Sequence, residues 1–133
     1  MSAEALPEFE KFLQTDCAKK FTAEEKLISS RRLNENEIAP LHEVPELKNI
    51  FAGIKGGAFF EHEKVSFISY PHEWPLEMLW VAGKLTLEIA QAALAEGFCL
   101  KDATPNNILF RGSAPVFVDV LSFERRNPND PIW

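Results

Sequence analysis

Residues 99–124 read Cys99-Leu-Lys-Asp-Ala-Thr-Pro-Asn-Asn-Ile-Leu-Phe-Arg-Gly-Ser-Ala-Pro-Val-Phe-Val-Asp-Val-Leu-Ser-Phe-Glu124. Asp102 and Asn107 are separated by four residues, and Pro105 stiffens the polar loop between them. Ile108–Phe110 and Val116–Val118 are apolar runs flanking a turn at Arg111-Gly112-Ser113. That pattern predicts two short strands joined as a hairpin. The hairpin returns Asp119 towards Asn107, so three oxygen-bearing side chains converge.

Upstream, Pro75 to Glu96 predicts a long helix, with Leu79, Ala82, Leu87, Ala90 and Leu94 as its buried face. Pro75 suits a first turn and Gly97 a C-terminal cap. Tyr70-Pro-His-Glu-Trp-Pro75 is bracketed by two prolines and cannot continue that helix. Ala58–Glu61 and Val65–Tyr70 are Phe-, Val- and Ile-rich runs around a polar link, a hairpin signal. Residues 4–33 predict two helices, the first on the spacing of Leu6, Phe9, Phe12 and Leu13. The second opens at the capping-box pattern Thr22-Ala-Glu-Glu25 and runs to about Arg32. Leu33–Pro45 reads as loop. The expected class is α+β, in the order N-terminal helices, β-hairpin, long helix, polar loop and second β-hairpin.

The chain has 133 residues, enough for one domain with a modest core. Its net charge of −6, with Arg31–Arg32 and Arg125–Arg126 as mere pairs, disfavours a nucleic-acid partner. Cys17 and Cys99 form no zinc or redox motif and read as reduced thiols of a cytoplasmic protein. His42, His62 and His72 lack metal-ligand spacing with one another. Trp74 and Trp80, with Phe67 and Tyr70, read as core or hinge aromatics. The N-terminus has no signal-peptide pattern. Glu77, Lys84 and Glu88 interrupt the longest apolar stretch, so no membrane span is expected. The tail from Asn127 to Trp133 reads as coil ending on an apolar pair, which suggests a fragment of something longer.

Phosphoryl transfer needs positioning and charge neutralisation, with few protein ligands to a hard cation. Asp102 is the candidate to orient an attacking hydroxyl, and Asn107 and Asp119 are the candidates to hold Mg²⁺. The bland alternative is equally physical. Asp-Ala-Thr-Pro makes a good turn because an Asp carboxylate can accept its own downstream N–H.

Leu100-Lys-Asp-Ala-Thr-Pro-Asn-Asn-Ile-Leu-Phe110 resembles the catalytic loop of the protein-kinase-like superfamily, aminoglycoside phosphotransferases included. Pro115-Val-Phe-Val-Asp119 resembles the strand before their metal-binding Asp. The resemblance implies an incomplete protein-kinase-like fold: helices and loop over 1–45, a small-lobe remnant and hinge over 46–74, and a large-lobe core over 75–133. It implies ATP and Mg²⁺ as ligands and Lys101 as a nucleotide-binding residue. Four features depart from the pattern. Leu100 stands where many kinases carry His, no Phe-Gly follows Asp119, and no G-x-G-x-x-G is present. The Ala52-Gly-Ile-Lys55 stretch follows the N-terminal helices instead of preceding them.

Phe67-Ile-Ser-Tyr-Pro-His-Glu-Trp74, Leu100-Lys-Asp-Ala-Thr-Pro105 and Val118-Asp-Val-Leu-Ser-Phe-Glu124 also resemble a bacterial family of longer proteins. These are described as SAM-dependent methyltransferases or nodulation-related proteins. The matching region there precedes a methyltransferase domain, so SAM would enter only through a domain absent from these 133 residues. The expected partner is that downstream domain or a second copy. Three functions follow: a non-catalytic or degenerate kinase-like module, a Mg²⁺-dependent small-molecule phosphotransferase, or a structural interaction domain without ligand.

Overall fold

Thr15, with its extended backbone, opens the second helix. Its Oγ1 accepts the Ala18 N–H at 3.0 Å while its hydroxyl donates to the Phe12 carbonyl at 2.6 Å. The structure is a computed structural model and describes residues 1–53, 56–127 and 129. Helix α1 spans Leu6–Leu13, with Pro7 in its first turn and Phe9 and Phe12 buried. Helix α2 spans Asp16–Ala23 and buries Cys17, Ala18 and Phe21. The expected start at Thr22 is therefore corrected. Glu25 adopts φ 58°, which ends the helix. The Lys26 and Leu27 amides then fold back onto the Phe21 carbonyl at 2.8 and 3.0 Å.

Ser30–Arg32 is strand β1, not the end of a helix. Asn34 caps a short helix α3, Glu35–Ile38, in a reciprocal box with Glu37. The Asn34 backbone N–H, then the Arg31 guanidinium, hold the Glu37 carboxyl below its ordinary pKa. Two single turns follow, Ala39–Glu43 and Pro45–Leu47, and then helix α4, Lys48–Gly53. Strand β2, Phe60–His62, pairs antiparallel with β1, setting Arg31 opposite Glu61. An Arg31–Glu61 ion pair at 2.7 Å spans that register. The expected hairpin between 58–61 and 65–70 is thus corrected. Residues 65–70 supply no strand, and within them Val65 is buried while Phe67, Ile68 and Tyr70 are exposed.

Helix α5, Leu76–Ala95, follows Pro75 as expected, and Gly97 takes φ 79° just beyond it. Its buried stripe is Ala82, Leu85, Ile89 and Ala93. Leu79 and Leu87, expected inside, face outward. The helix is apolar on opposite sides, so periodicity alone cannot select the inner one. By length and composition alone, with mean hydropathy 1.2 over an 18-residue window, it is long and apolar enough to cross a membrane, a test that a core helix also passes. Here its inner stripe packs on other elements of the core.

Strand β3, Phe98–Leu100, pairs antiparallel with β6, Phe123–Arg125. Strands β4, Ile108–Arg111, and β5, Ala114–Phe117, form the expected hairpin through Gly112-Ser113. Gly112 at φ 62° gives that two-residue loop the positive φ it needs. Three two-stranded antiparallel sheets and five helices make a mixed α+β arrangement among the described residues. Helix α5 lies against β5, β3 and α2. Phe12 stacks on Phe123 at 3.8 Å between ring centres, and Phe117 tilts against Phe123 at 5.6 Å. The Ile28 N–H reaches the Phe117 carbonyl and the Phe117 N–H the Lys26 carbonyl, so the segment after α2 joins the edge of β5.

Candidate functional site

The loop after β3 is pinned at both ends by backbone bonds. The Lys101 N–H donates to the Ser122 carbonyl at 2.8 Å, and the Val118 N–H donates to the Asn107 carbonyl at 2.8 Å. Between them the Asp102 carboxylate accepts the Thr104 N–H at 3.1 Å, closing an Asx turn. Pro105 then starts a single 3₁₀ turn, Pro105–Asn107, which delivers Asn107 inward. Lys101 and Asp102 remain exposed, and Asn107 is only 8% exposed.

Asn107 Nδ2 donates twice, to the Asp102 carbonyl at 3.0 Å and to Ser122 Oγ at 3.3 Å. The Ser122 hydroxyl in turn donates to the Asp119 carboxylate. Asp119 also caps the turn Val120–Ser122 by accepting the Leu121 N–H at 3.3 Å. The structure therefore brings Asn107 and Asp119 together through one hydroxyl. Asp102 joins that network by its backbone carbonyl, with its carboxylate turned to Thr104. Lys101 contributes its backbone alone. Ser122, buried and central, was missed by sequence reading; its position three residues after Asp119 is the signal that could have found it.

Both hydrogens of the Asn107 amide are engaged inward. Among the described residues no donor reaches its Oδ1. Asn107 Oδ1 and the Asp119 oxygens are hard donors of the kind Mg²⁺ takes, and two such ligands suffice when phosphates and water supply the rest. No group of three His, Cys, Asp or Glu side chains among the described residues is arranged to hold a metal. Lys55, which ends the Ala52–Lys55 stretch, and Trp133 lie outside the described residues.

Other side chains named from sequence fall elsewhere. Trp74 is buried, edge-on to Phe110 at 5.0 Å, with its Nε1 donating to Ser69 Oγ at 2.9 Å. Trp80, Phe67 and Tyr70 are exposed instead of packed. His62 Nδ1 bonds the Ser30 hydroxyl at 2.8 Å, and His42 lies on Phe51. The Cys17 thiol is pushed up to about 11 by burial, reinforced by Glu96 and opposed by Lys20, which makes it a poor nucleophile. A cleft of about 410 Å³ lies away from the loop, between the Glu24–Lys26 turn, α5 and the β4–β5 hairpin. It is lined by charges of both signs, including Lys26, Lys84, Glu88 and Arg111.

Comparison with known proteins gives one partial relative. The chain is 38% identical over 80 residues to nodulation protein NoeA of Rhizobium meliloti strain 1021. The match takes in 60% of this chain and 17% of that protein, so the chain spans under a fifth of its relative's length. No family model matches, and no solved structure matches.

Proposed function

We propose that this chain is a non-catalytic, degenerate kinase-like module of a methyltransferase-related protein. In this reading the loop 101–107 is retained as a structural tie between β3, β4 and the turn before β6. One observation carries it. Asp102 and Asp119 each accept a backbone N–H of their own turn, and the Asn107 amide hydrogens hold the two turns together. Each of the three side chains has a complete structural role without a substrate. The partial similarity to a much longer nodulation protein supports a module within a larger protein. SAM chemistry then belongs to a part of such a protein that these residues do not contain.

Calorimetric titration with ATP and Mg²⁺, and separately with SAM, tests this. Neither is expected to bind the chain alone, while Asn107→Ala lowers its stability. A second reading is favoured by Asn107 Oδ1, which no donor among the described residues reaches, on a side chain linked to the Asp119 carboxylate through Ser122. There Asp102 orients a small-molecule hydroxyl, Asn107 and Asp119 hold Mg²⁺, and Lys101 lies near the phosphates. ATP binding that needs Mg²⁺ and is lost in Asp119→Asn would replace the first reading with this one.

A further inference from the structure

We propose that the outward stripe of α5 is a contact through which two copies of this chain pair, helix antiparallel to helix. Leu76, Trp80, Gly83 and Leu87 recur at four-, three- and four-residue steps, which places them within about 60° of arc. The stripe lies opposite the buried one of Ala82, Leu85, Ile89 and Ala93. Leu76 is 80% exposed, and Trp80 and Leu87 are each 67% exposed. An apolar line of this kind on a helix whose other side already fills a core calls for a cover.

The order of residues along the stripe selects a second copy as that cover. The four positions are symmetric about the midpoint between Val81 and Ala82. A two-fold axis through that midpoint sets Leu76 of one copy against Leu87 of the other, and Trp80 over Gly83, each contact made twice. Gly83 has nothing within 4 Å of where a Cβ would stand, so the stripe has a notch where the indole must enter. Small residues at a crossing let helices approach closely, and indoles are favoured anchors. The polar flank is complementary as well. Glu77 and Lys84 lie on the same side of α5, and antiparallel pairing brings Glu77 of one copy near Lys84 of the other. Lys84 already lies over the Trp80 ring at 5.4 Å, so its stem can cover the indole edge. A helix-pair contact of this extent sits at the small end of specific interfaces, roughly 1,000 Å² in total, so pairing is concentration-dependent.

Sedimentation equilibrium of the full chain from about 5 to about 500 µM tests the pairing. A monomer–dimer equilibrium is expected, weakened at least about tenfold by Trp80→Asp with circular dichroism unchanged. Register is read by cysteine cross-linking on a Cys99→Ser background. Leu76 and Leu87 are about 16 Å apart along one helix, so Leu76→Cys/Leu87→Cys cannot close within a chain but closes twice across the two-fold. The double variant should give a covalent dimer on oxidation, and each single variant little. A chain that stays monomeric throughout, or dimers indifferent to Trp80→Asp, would overturn the proposal. So would single variants that cross-link as well as the double, or a stripe that binds phosphatidylcholine vesicles in place of a second copy.

Discussion

The side-chain amide of Asn107 donates to the hydroxyl of Ser122, 15 residues further on, from a position almost sealed from solvent. With its second bond, to the Asp102 carbonyl, it closes the loop onto the turn before β6. Asn107→Ala leaves both acceptors without that donor. It should cost about 2 kcal/mol, read as a lower urea midpoint at unchanged m-value.

Asp119 separates the structural role from a charge-dependent one. Asp119→Asn keeps an acceptor for the Leu121 N–H but sets an NH₂ where the Ser122 hydroxyl had its acceptor, and should lose about 0.5–1 kcal/mol. Asp119→Ala removes the cap and the Ser122 acceptor together, and should lose about 1–2 kcal/mol. Equal losses in the two variants, measured by urea unfolding, would show that the charge and not the cap matters.

Glu96, just past α5, caps the start of α2 across the fold. Its two oxygens accept the Asp16 N–H at 3.0 Å and the Cys17 N–H at 2.6 Å. Anionic acceptors are favoured at helix N-termini. Glu96→Ala should cost about 1–2 kcal/mol and Glu96→Gln less, with the difference between the two shrinking as salt is raised.

Cys17 predicts the alkaline limb of stability. Burial raises the thiol from 9.0 to about 11, so the native state holds its proton where the unfolded chain has released it. Stability is therefore unaffected below about pH 9, falls as pH rises towards 11, and levels beyond. Cys17→Ala should flatten that decline in urea titrations at pH 8 and pH 10.5. A variant that declines as steeply as the parent would assign the effect to other groups.

Gly97 holds φ 79° between α5 and β3. A Cβ there would meet only the end of Arg125 at 3.7 Å, so the penalty for Gly97→Ala is backbone strain alone, about 1 kcal/mol. Gly97→Asn should recover part of it in thermal unfolding.

What could be read ahead of the structure follows the range of the forces involved. Helix α5, its glycine cap and the β4–β5 hairpin rest on local spacing and turn chemistry, and these are legible in a short window. Strand β1 is three polar residues whose partner lies about thirty positions away, so no window contains the pair. The same holds for β3 and β6, which sequence reading did not anticipate. The α2 boundary was misplaced because two threonines offer competing caps. Thr15 prevails because its hydroxyl also satisfies the last turn of α1. In the candidate site, the grouping of Asn107 with Asp119 follows from hairpin geometry. Ser122, which joins them, is marked in the sequence only by its place three residues after Asp119, a spacing that gains meaning once the turn before β6 is drawn.

The Phe12–Phe123 stack has a consequence for biosynthesis. A ring near the amino end meets Phe98 of β3 edge-on and finds its stacking partner only in β6, more than a hundred residues later. On a ribosome, Phe9 can meet Phe60 early, but the Phe12 stack must wait until Phe123 has cleared the exit tunnel. Folding of this chain is thus late and collective, and nascent pieces ending before Phe123 are natural clients for chaperones.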